Sequence, residues 1–288
     1  MPEPSAEPSV LLLGKGGMLF RAWSDHLEER GVSFSAPGLD EFDFCDPDSY
    51  LPHLVGAIKT VINCAGYTDV DAAEENCELA LQINGTGPGL LAKLCAERKI
   101  GLVHYSTDYV FDGSATEPYP TDSPIRPLGV YGRSKAMGEA AIWENHPGAL
   151  VIRTSWLYAP WGKNFVRTMA SLVSSRPQVS VVVDQRGRPT SATHLVNISS
   201  QLIDAGQVGF FHVTDGGECT WHEFAVAIAE ALKVPCQVEG CNSDAFPRPA
   251  PRPGYSVLDL SKTESLVGEM PSWRANLAAV LARISSEN

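Results

Sequence analysis

Six short strand-like runs, each followed by enough chain for a helix, constrain this sequence more than any other feature: Val10 to Leu13, Ser33 to Ser35, Thr60 to Cys64, Leu102 to Ser106, Leu150 to Thr154 and Phe210 to Val213. Strands that alternate with helices are too far apart to pair as hairpins, so they assemble into a parallel sheet with helices on both faces. Between the first two runs, Leu19, Trp23 and Leu27 recur every four residues and form one face of a helix packed on that sheet. Glu78 to Arg98 repeats the pattern through Leu81, Leu90, Leu91 and Leu94, with an irregularity at Gly87-Pro88-Gly89. The expected fold is α/β, a Rossmann-type doubly wound parallel sheet.

After about residue 157 the rhythm changes. A helix near Asn164 to Val173, a strand-like run from Val179 to Val183 and a helix near His194 to Ile203 read as a smaller α+β unit interleaved with the first. Thr220-Trp221-His222-Glu223 has the form of a capping box, in which the threonine caps the first turn and the glutamate reaches back to the cap N–H, so a helix from Trp221 to Leu232 is expected. Four prolines between Phe246 and Pro253 make that stretch an extended loop. The expected division is a dinucleotide-binding domain at 9–165, with a return segment at about 190–214, and a substrate-binding domain at 166–189 and 215–288. A chain of 288 residues has room for both.

Composition removes several functional classes. Twenty-two basic against 34 acidic residues give a net charge of -12, which argues against nucleic acid and against an anionic membrane surface as partners. The seven cysteines (Cys45, Cys64, Cys77, Cys95, Cys219, Cys236 and Cys241) are scattered and include no C-x-x-C pair, so neither a disulfide framework nor a zinc site is expected. The chain starts acidic and rich in proline, and the apolar run after that start is only four residues long. Neither a signal peptide nor a membrane span is expected, and a cytoplasmic location follows by default.

Two local patterns carry chemistry. In the first, the strand Leu11-Leu12-Leu13 runs into Gly14-Lys15-Gly16-Gly17 and then into a helix that opens Met18-Leu19-Phe20. This is the context in which a dinucleotide pyrophosphate sits on a helix N-terminus. Gly14 permits the tight turn, and Gly17 lets backbone amides approach phosphate oxygens without an intervening Cβ. Phe20 stands where the usual fingerprint has its third glycine. A loop that simply needs positive φ would look the same. The region that would distinguish NAD from NADP, Ala36 to Gly38, has neither an acid nor an arginine, so NADPH and NADH both stay open.

The second pattern is Tyr131 and Lys135, four residues apart at the start of a helix and therefore on one face. By spacing alone the pair could equally stand on a solvated surface. An ammonium beside a phenol lowers the phenol's usual pKa of ~10, which suits a proton donor to a carbonyl that receives hydride. Lys135 could also hold the cofactor ribose. Upstream, Leu102 to Asp108 is an apolar strand that ends in hydroxyl and carboxylate groups, and ligands of open parallel sheets bind at the carboxyl ends of strands. Thr107 can donate to a substrate carbonyl oxygen as it gains charge.

In these features the chain resembles the dTDP-4-dehydrorhamnose reductases within the extended short-chain dehydrogenases. The resemblance runs through Asn63-Cys64-Ala65-Gly66-Tyr67-Thr68-Asp69, His104-Tyr105-Ser106-Thr107-Asp108-Tyr109, the Tyr131 segment, Arg153-Thr154-Ser155-Trp156, Asp184-Gln185-Arg186-Gly187-Arg188-Pro189-Thr190 and Tyr255-Ser256-Val257-Leu258-Asp259. It implies reduction of the C4 ketone of dTDP-4-dehydro-L-rhamnose by NADPH or NADH, with Tyr131 as proton donor, Lys135 as its partner and Thr107 on the carbonyl. It implies further that Gly14, Lys15, Gly16, Gly17, Met18 and Leu19 form the pyrophosphate turn, and that Asp43 and Phe44 lie by the adenine. Ala65, Gly66, Tyr67, Thr68 and Tyr105 would line the cofactor cleft, and Asp108 and Trp156 would face the sugar nucleotide. Some members carry glutamates for a metal at a dimer contact, where this chain has Ala22 and Thr193, so no metal is expected and the choice between monomer and homodimer stays open. Two other readings remain: a reductase of another nucleotide-linked 4-keto-deoxysugar, and a non-catalytic regulatory member of the same superfamily.

Overall fold

Each of the six runs becomes a strand of one sheet in the computed structural model, which describes residues 7–286. The first six residues of the acidic, proline-rich start lie outside the described residues. The strands are β1 (Val10–Leu13), β2 (Phe34–Ser35), β3 (Thr60–Asn63), β4 (Gly101–Thr107), β5 (Leu150–Thr154) and β6 (Gly209–His212). They lie in the order β2-β1-β3-β4-β5-β6, and every pairing is parallel. Chain order reverses between β1 and β3, the topological switch point where such sheets open a crevice at their carboxyl ends.

Burial on both faces explains the near-continuous apolar strands. Side chains alternate along a strand, so Leu12, Ile62, Val103 and Ile152 point to one face and Leu11, Leu13, Val61, Leu102 and Val151 to the other. The first face meets helix α1 (Met18–Glu29), and α1 in turn lies against the return helix Ala192–Asp204; Leu19, Trp23, Leu27, Leu195 and Leu202 join that cluster. The second meets α2 (Gly87–Arg98) and α3 (Val130–Asn145) through Leu91, Ala92, Cys95 and Ile142. Phe20 is half-buried against the first cluster.

Glu78 to Arg98 is not one uniform helix. An α-turn at Cys77–Leu81 widens into a π-turn at Gln82–Thr86, where the Gly87 N–H reaches back to the Gln82 carbonyl, before α2 resumes. Pro88 lacks the N–H that would bond the Asn84 carbonyl four residues earlier, so the distortion falls before the Gly87-Pro88-Gly89 triplet and not within it.

A third apolar cluster gathers α4 (Phe165–Ser175), Trp221–Leu232 and Trp273–Ser286 around the parallel pair Gln178–Val182 and Gln237–Cys241. The capping box forms in both directions. The Glu223 carboxylate accepts from the Thr220 N–H at 2.7 Å, and the Thr220 hydroxyl accepts from the Glu223 N–H at 3.1 Å. All seven cysteines are free thiols. Among the described residues no helix is long and apolar enough to cross a membrane.

Candidate active site

A cavity of about 570 Å³ opens at the carboxyl ends of β1, β3 and β4, where the sheet order reverses. At one end lies the glycine turn. Gly14 takes φ +99°, and a Cβ there would stand 2.7 Å from the backbone of Cys64 and Ala65, so the turn passes flush over the end of β3. Gly17 is the N-cap of α1, and no side chain caps that helix. The first-turn N–H groups therefore lack acceptors within the helix and give it a positive end at the cavity. Gly14, Lys15, Gly17, Met18 and Leu19 all line the space, whereas Gly16, at φ +88°, stands exposed outside the lining.

The middle of the cavity is walled by Ala65, Gly66, Tyr67 and Thr68 after β3. A Cβ at Gly66 would come within 3.1 Å of Asn84 Oδ1 and 3.8 Å of Lys135 Nζ, so a side chain here would press on the Asn84 amide and fill the space beside Lys135. Asn84, from the π-turn, holds this wall. Its Oδ1 accepts from the Tyr67 N–H at 2.8 Å, and its Nδ2 donates to the Tyr67 carbonyl at 2.9 Å and to the Ser134 hydroxyl of α3 at 3.0 Å. Local sequence offered one signal for Asn84, an amide directly before a Gly-x-Gly-Pro-Gly irregularity.

At the far end Thr107, Asp108, Tyr131, Lys135 and Trp156 converge on the same space. The Val130 N–H that starts α3 donates to Glu74 Oε1 at 2.7 Å, which ties down the helix end just before Tyr131. Tyr131 lines the cavity beside Thr107, whose hydroxyl donates to Asp108 Oδ1 at 3.0 Å. Ser106 Oγ and Asp108 Oδ2 are buried in this wall without hydrogen-bond partners among the described residues. Groups of that kind are scarce in folded proteins and concentrate where a ligand satisfies them.

The electrostatics differ from the expectation of an acidified phenol. Lys135 and Tyr131 share a helix face, yet Lys135 Nζ donates to the Tyr105 carbonyl at 2.6 Å and lies 3.3 Å from His104 Nε2. Burial pushes Tyr131 up to about 12. Burial also pushes Lys135 down to about 8, against the opposing pull of Glu139. The phenol is thus fully protonated at neutral pH. A proton donor needs its proton in place and a stronger base to receive it, which an alkoxide formed from a ketone provides.

Two residues expected beside the adenine lie outside the cavity lining. Phe44 is buried with Phe42 and Tyr50 in the core below α2, and Asp43 Oδ1 accepts from the Cys45 N–H at 2.8 Å; neither lines the cavity. Leu39 lines it instead. The Tyr105 ring turns away into the α1 face, where its hydroxyl accepts from Trp23 Nε1 at 2.8 Å, so what serves the site from this residue is its carbonyl. Trp156 adopts φ +46° and stacks on Trp221 with ring centroids 3.6 Å apart. A Cβ on Gly187 would come within 2.7 Å of the Trp156 indole, so that glycine makes the rotamer fit. Trp221 is distant in sequence, and no local pattern announced its place in the cavity wall. Ala22 and Thr193 both line a surface hollow between α1 and Ala192–Asp204.

The model for the RmlD substrate binding domain matches residues 8–286. The chain is 38% identical over 281 residues to dTDP-4-dehydrorhamnose reductase of Mycolicibacterium smegmatis, covering 96% of this chain and 85% of that protein. It is 39% identical over 272 residues to a Streptomyces antibioticus protein named "Probable dTDP-4,6-dihydroxy-2-methyloxan-3-one 4-ketoreductase", covering 93% of this chain and 92% of the other. Among solved structures, dTDP-4-dehydrorhamnose reductase of Bacillus anthracis in complex with NADP superposes with a TM-score of 0.89 at 32% identity, covering 95% of this chain and 98% of that one.

Proposed function

Because the chain belongs to the RmlD substrate binding domain family, we propose that it is an NAD(P)H-dependent oxidoreductase that reduces the C4 ketone of dTDP-4-dehydro-L-rhamnose to give dTDP-L-rhamnose. The observation that carries this reading is the convergence of Thr107, Tyr131 and Lys135 on one cavity that also contains the uncapped N-terminus of α1. A reduced nicotinamide dinucleotide supplies the hydride when bound. The residues fit such a group. Gly14 and Gly17 leave the helix end open for a pyrophosphate, and Gly66 leaves a groove beside Lys135 where a ribose can approach.

The remaining steps belong to side chains. Thr107 presents a hydroxyl to the ketone oxygen. Tyr131, protonated throughout the physiological range, donates its proton to that oxygen as charge develops there. Lys135 holds the cofactor side of the cleft. Asp108 and the Trp156–Trp221 stack bound the space for the sugar nucleotide. The separate apolar cluster around α4 and Trp221–Leu232 supports a substrate-binding unit distinct from the sheet, and seven free thiols suit a reducing compartment such as the cytoplasm.

The Streptomyces relative favours a second reading on the same chemistry, a reductase of a different dTDP-linked 4-ketosugar. Consumption of NADPH or NADH on addition of dTDP-4-dehydro-L-rhamnose tests the reading. Tyr131→Phe should lower kcat by ~10²- to 10⁴-fold while leaving cofactor affinity nearly intact. Oxidation of neither cofactor with any dTDP-linked 4-ketosugar would end it.

A further inference from the structure

Behind Lys135 runs a buried hydrogen-bond chain that the proposed reaction does not use. Asn63 and His104 lie opposite one another in register on β3 and β4, with 1% and 0% of their surfaces exposed. Asn63 Oδ1 already accepts from the Ala65 N–H at 3.0 Å, which orients the amide. Its Nδ2, 3.0 Å from His104 Nδ1, is consequently the donor in that contact. A ring that accepts at Nδ1 and is neutral carries its proton on Nε2. That N–H points at Lys135 Nζ, 3.3 Å away, while Lys135 itself donates to the Tyr105 carbonyl at 2.6 Å.

An ammonium has three donors and no acceptor, so it cannot receive the Nε2–H. An amine can. We propose that His104 is a positioning residue: with its tautomer set by Asn63, it favours the neutral amine of Lys135 over the ammonium in the ligand-free chain, because only the amine offers a lone pair to His104 Nε2–H while keeping one N–H on the Tyr105 carbonyl.

The surroundings agree. Burial and the facing lysine hold His104 well below the ordinary histidine range, so the ring is uncharged. Burial pushes Lys135 down to about 8, and the one charge that opposes this, Glu139 on the next turn of α3, is held by Arg153 through bonds of 2.8 and 2.7 Å. Tyr131, one turn back, is kept neutral by burial. Glu139, shared with Arg153, is thus the charge that opposes the shift, and burial outweighs it. A consequence, which rests on the proposed function, is that cofactor affinity falls as pH rises through the value at which Lys135 loses its third proton.

The test is a pH titration of the ligand-free chain with lysines labelled at ¹³Cε and ¹⁵Nζ, the Lys135 signal being assigned by its loss in Lys135→Met. The expected midpoint is about 8. His104→Gln puts an acceptor oxygen where the ring N–H stood, and should move the midpoint up by about one pH unit or more, a tenfold change in the amine-to-ammonium ratio. Asn63→Ala frees the ring to take its other tautomer and should move it the same way, which keeps the test available if His104→Gln does not fold. A wild-type midpoint in the ordinary lysine range, or a midpoint that neither variant moves, overturns the assignment and leaves His104 a core residue. NADPH affinity measured across the same pH range separates the two claims: no binding at any pH defeats the functional reading, while the lysine titration still decides the protonation state.

Discussion

Replacing Gly138 by alanine should damage stability and turnover together, and the structure says by how much. A Cβ at that position would stand 2.1 Å from the Asn84 carbonyl oxygen, where ordinary contact begins at 3.4 Å. The obstacle is backbone within the π-turn, so no side-chain rotation relieves it. Helix α3 must retreat by more than about 1 Å, and forcing an extra methyl into a close-packed contact costs roughly 1–3 kcal/mol. The same helix carries Tyr131 and Lys135, and Asn84 also clamps Tyr67 and Ser134, so the retreat displaces the two proposed reacting groups from the wall at Tyr67. A displacement of ~1 Å in a reacting group costs on the order of 10²-fold in rate. Urea denaturation measures the first effect and NADPH consumption with the dTDP-linked ketosugar the second. Gly101→Ala is the control, because the nearest atoms to its Cβ lie at 3.6 and 3.8 Å; it should stay within about 0.5 kcal/mol of the parent. A Gly138→Ala chain with parental denaturation midpoint and kcat, or a control that is equally damaged, would refute the reasoning.

Two further outcomes are expected. Burial raises Asp108 to about 7, above the ~4 of an unfolded chain, so the folded state holds that proton more tightly and loses stability as pH rises from about 4 to about 7. Asp108→Asn should flatten that part of the stability profile and gain on the parent above pH ~7; Asp215, raised likewise, contributes equally to both chains and drops out of the difference. Equal profiles for the two proteins in chemical denaturation would contradict a carboxyl whose burial outweighs its hydrogen bonds. Gly187→Ala drives a methyl into the Trp156 indole and should raise KM for the sugar nucleotide several-fold with cofactor affinity unchanged, read by steady-state kinetics and calorimetry. A change confined to cofactor binding would remove the Trp156–Trp221 stack from the substrate wall.

The sheet was legible because burial on both faces demands apolar residues at consecutive positions, and that demand is written locally. The capping box was legible for the same reason, since all its partners lie within four residues. Spacing likewise placed Tyr131 and Lys135 on one face of α3. It did not say where a long amine ends. The Tyr105 carbonyl and His104 ring compete for Lys135 Nζ from a neighbouring strand, and burial, which follows from the packing of α3 on β4, moves the phenol up instead of down.

Asp43 and Phe44 illustrate the same boundary. Their position after β2 fits a cofactor wall, but Phe42 and Tyr50 offer Phe44 an aromatic core and Gly87 leaves the room to enter it. By itself, then, the sequence determined the strands, the helix faces, the glycine turn and the candidate groups that share one face of α3, because each is specified by neighbours a few residues away. Which of those groups touch was decided only by tertiary structure, since Asn84, His104 and Trp221 reach the site through contacts whose energies depend on atoms brought from distant parts of the chain.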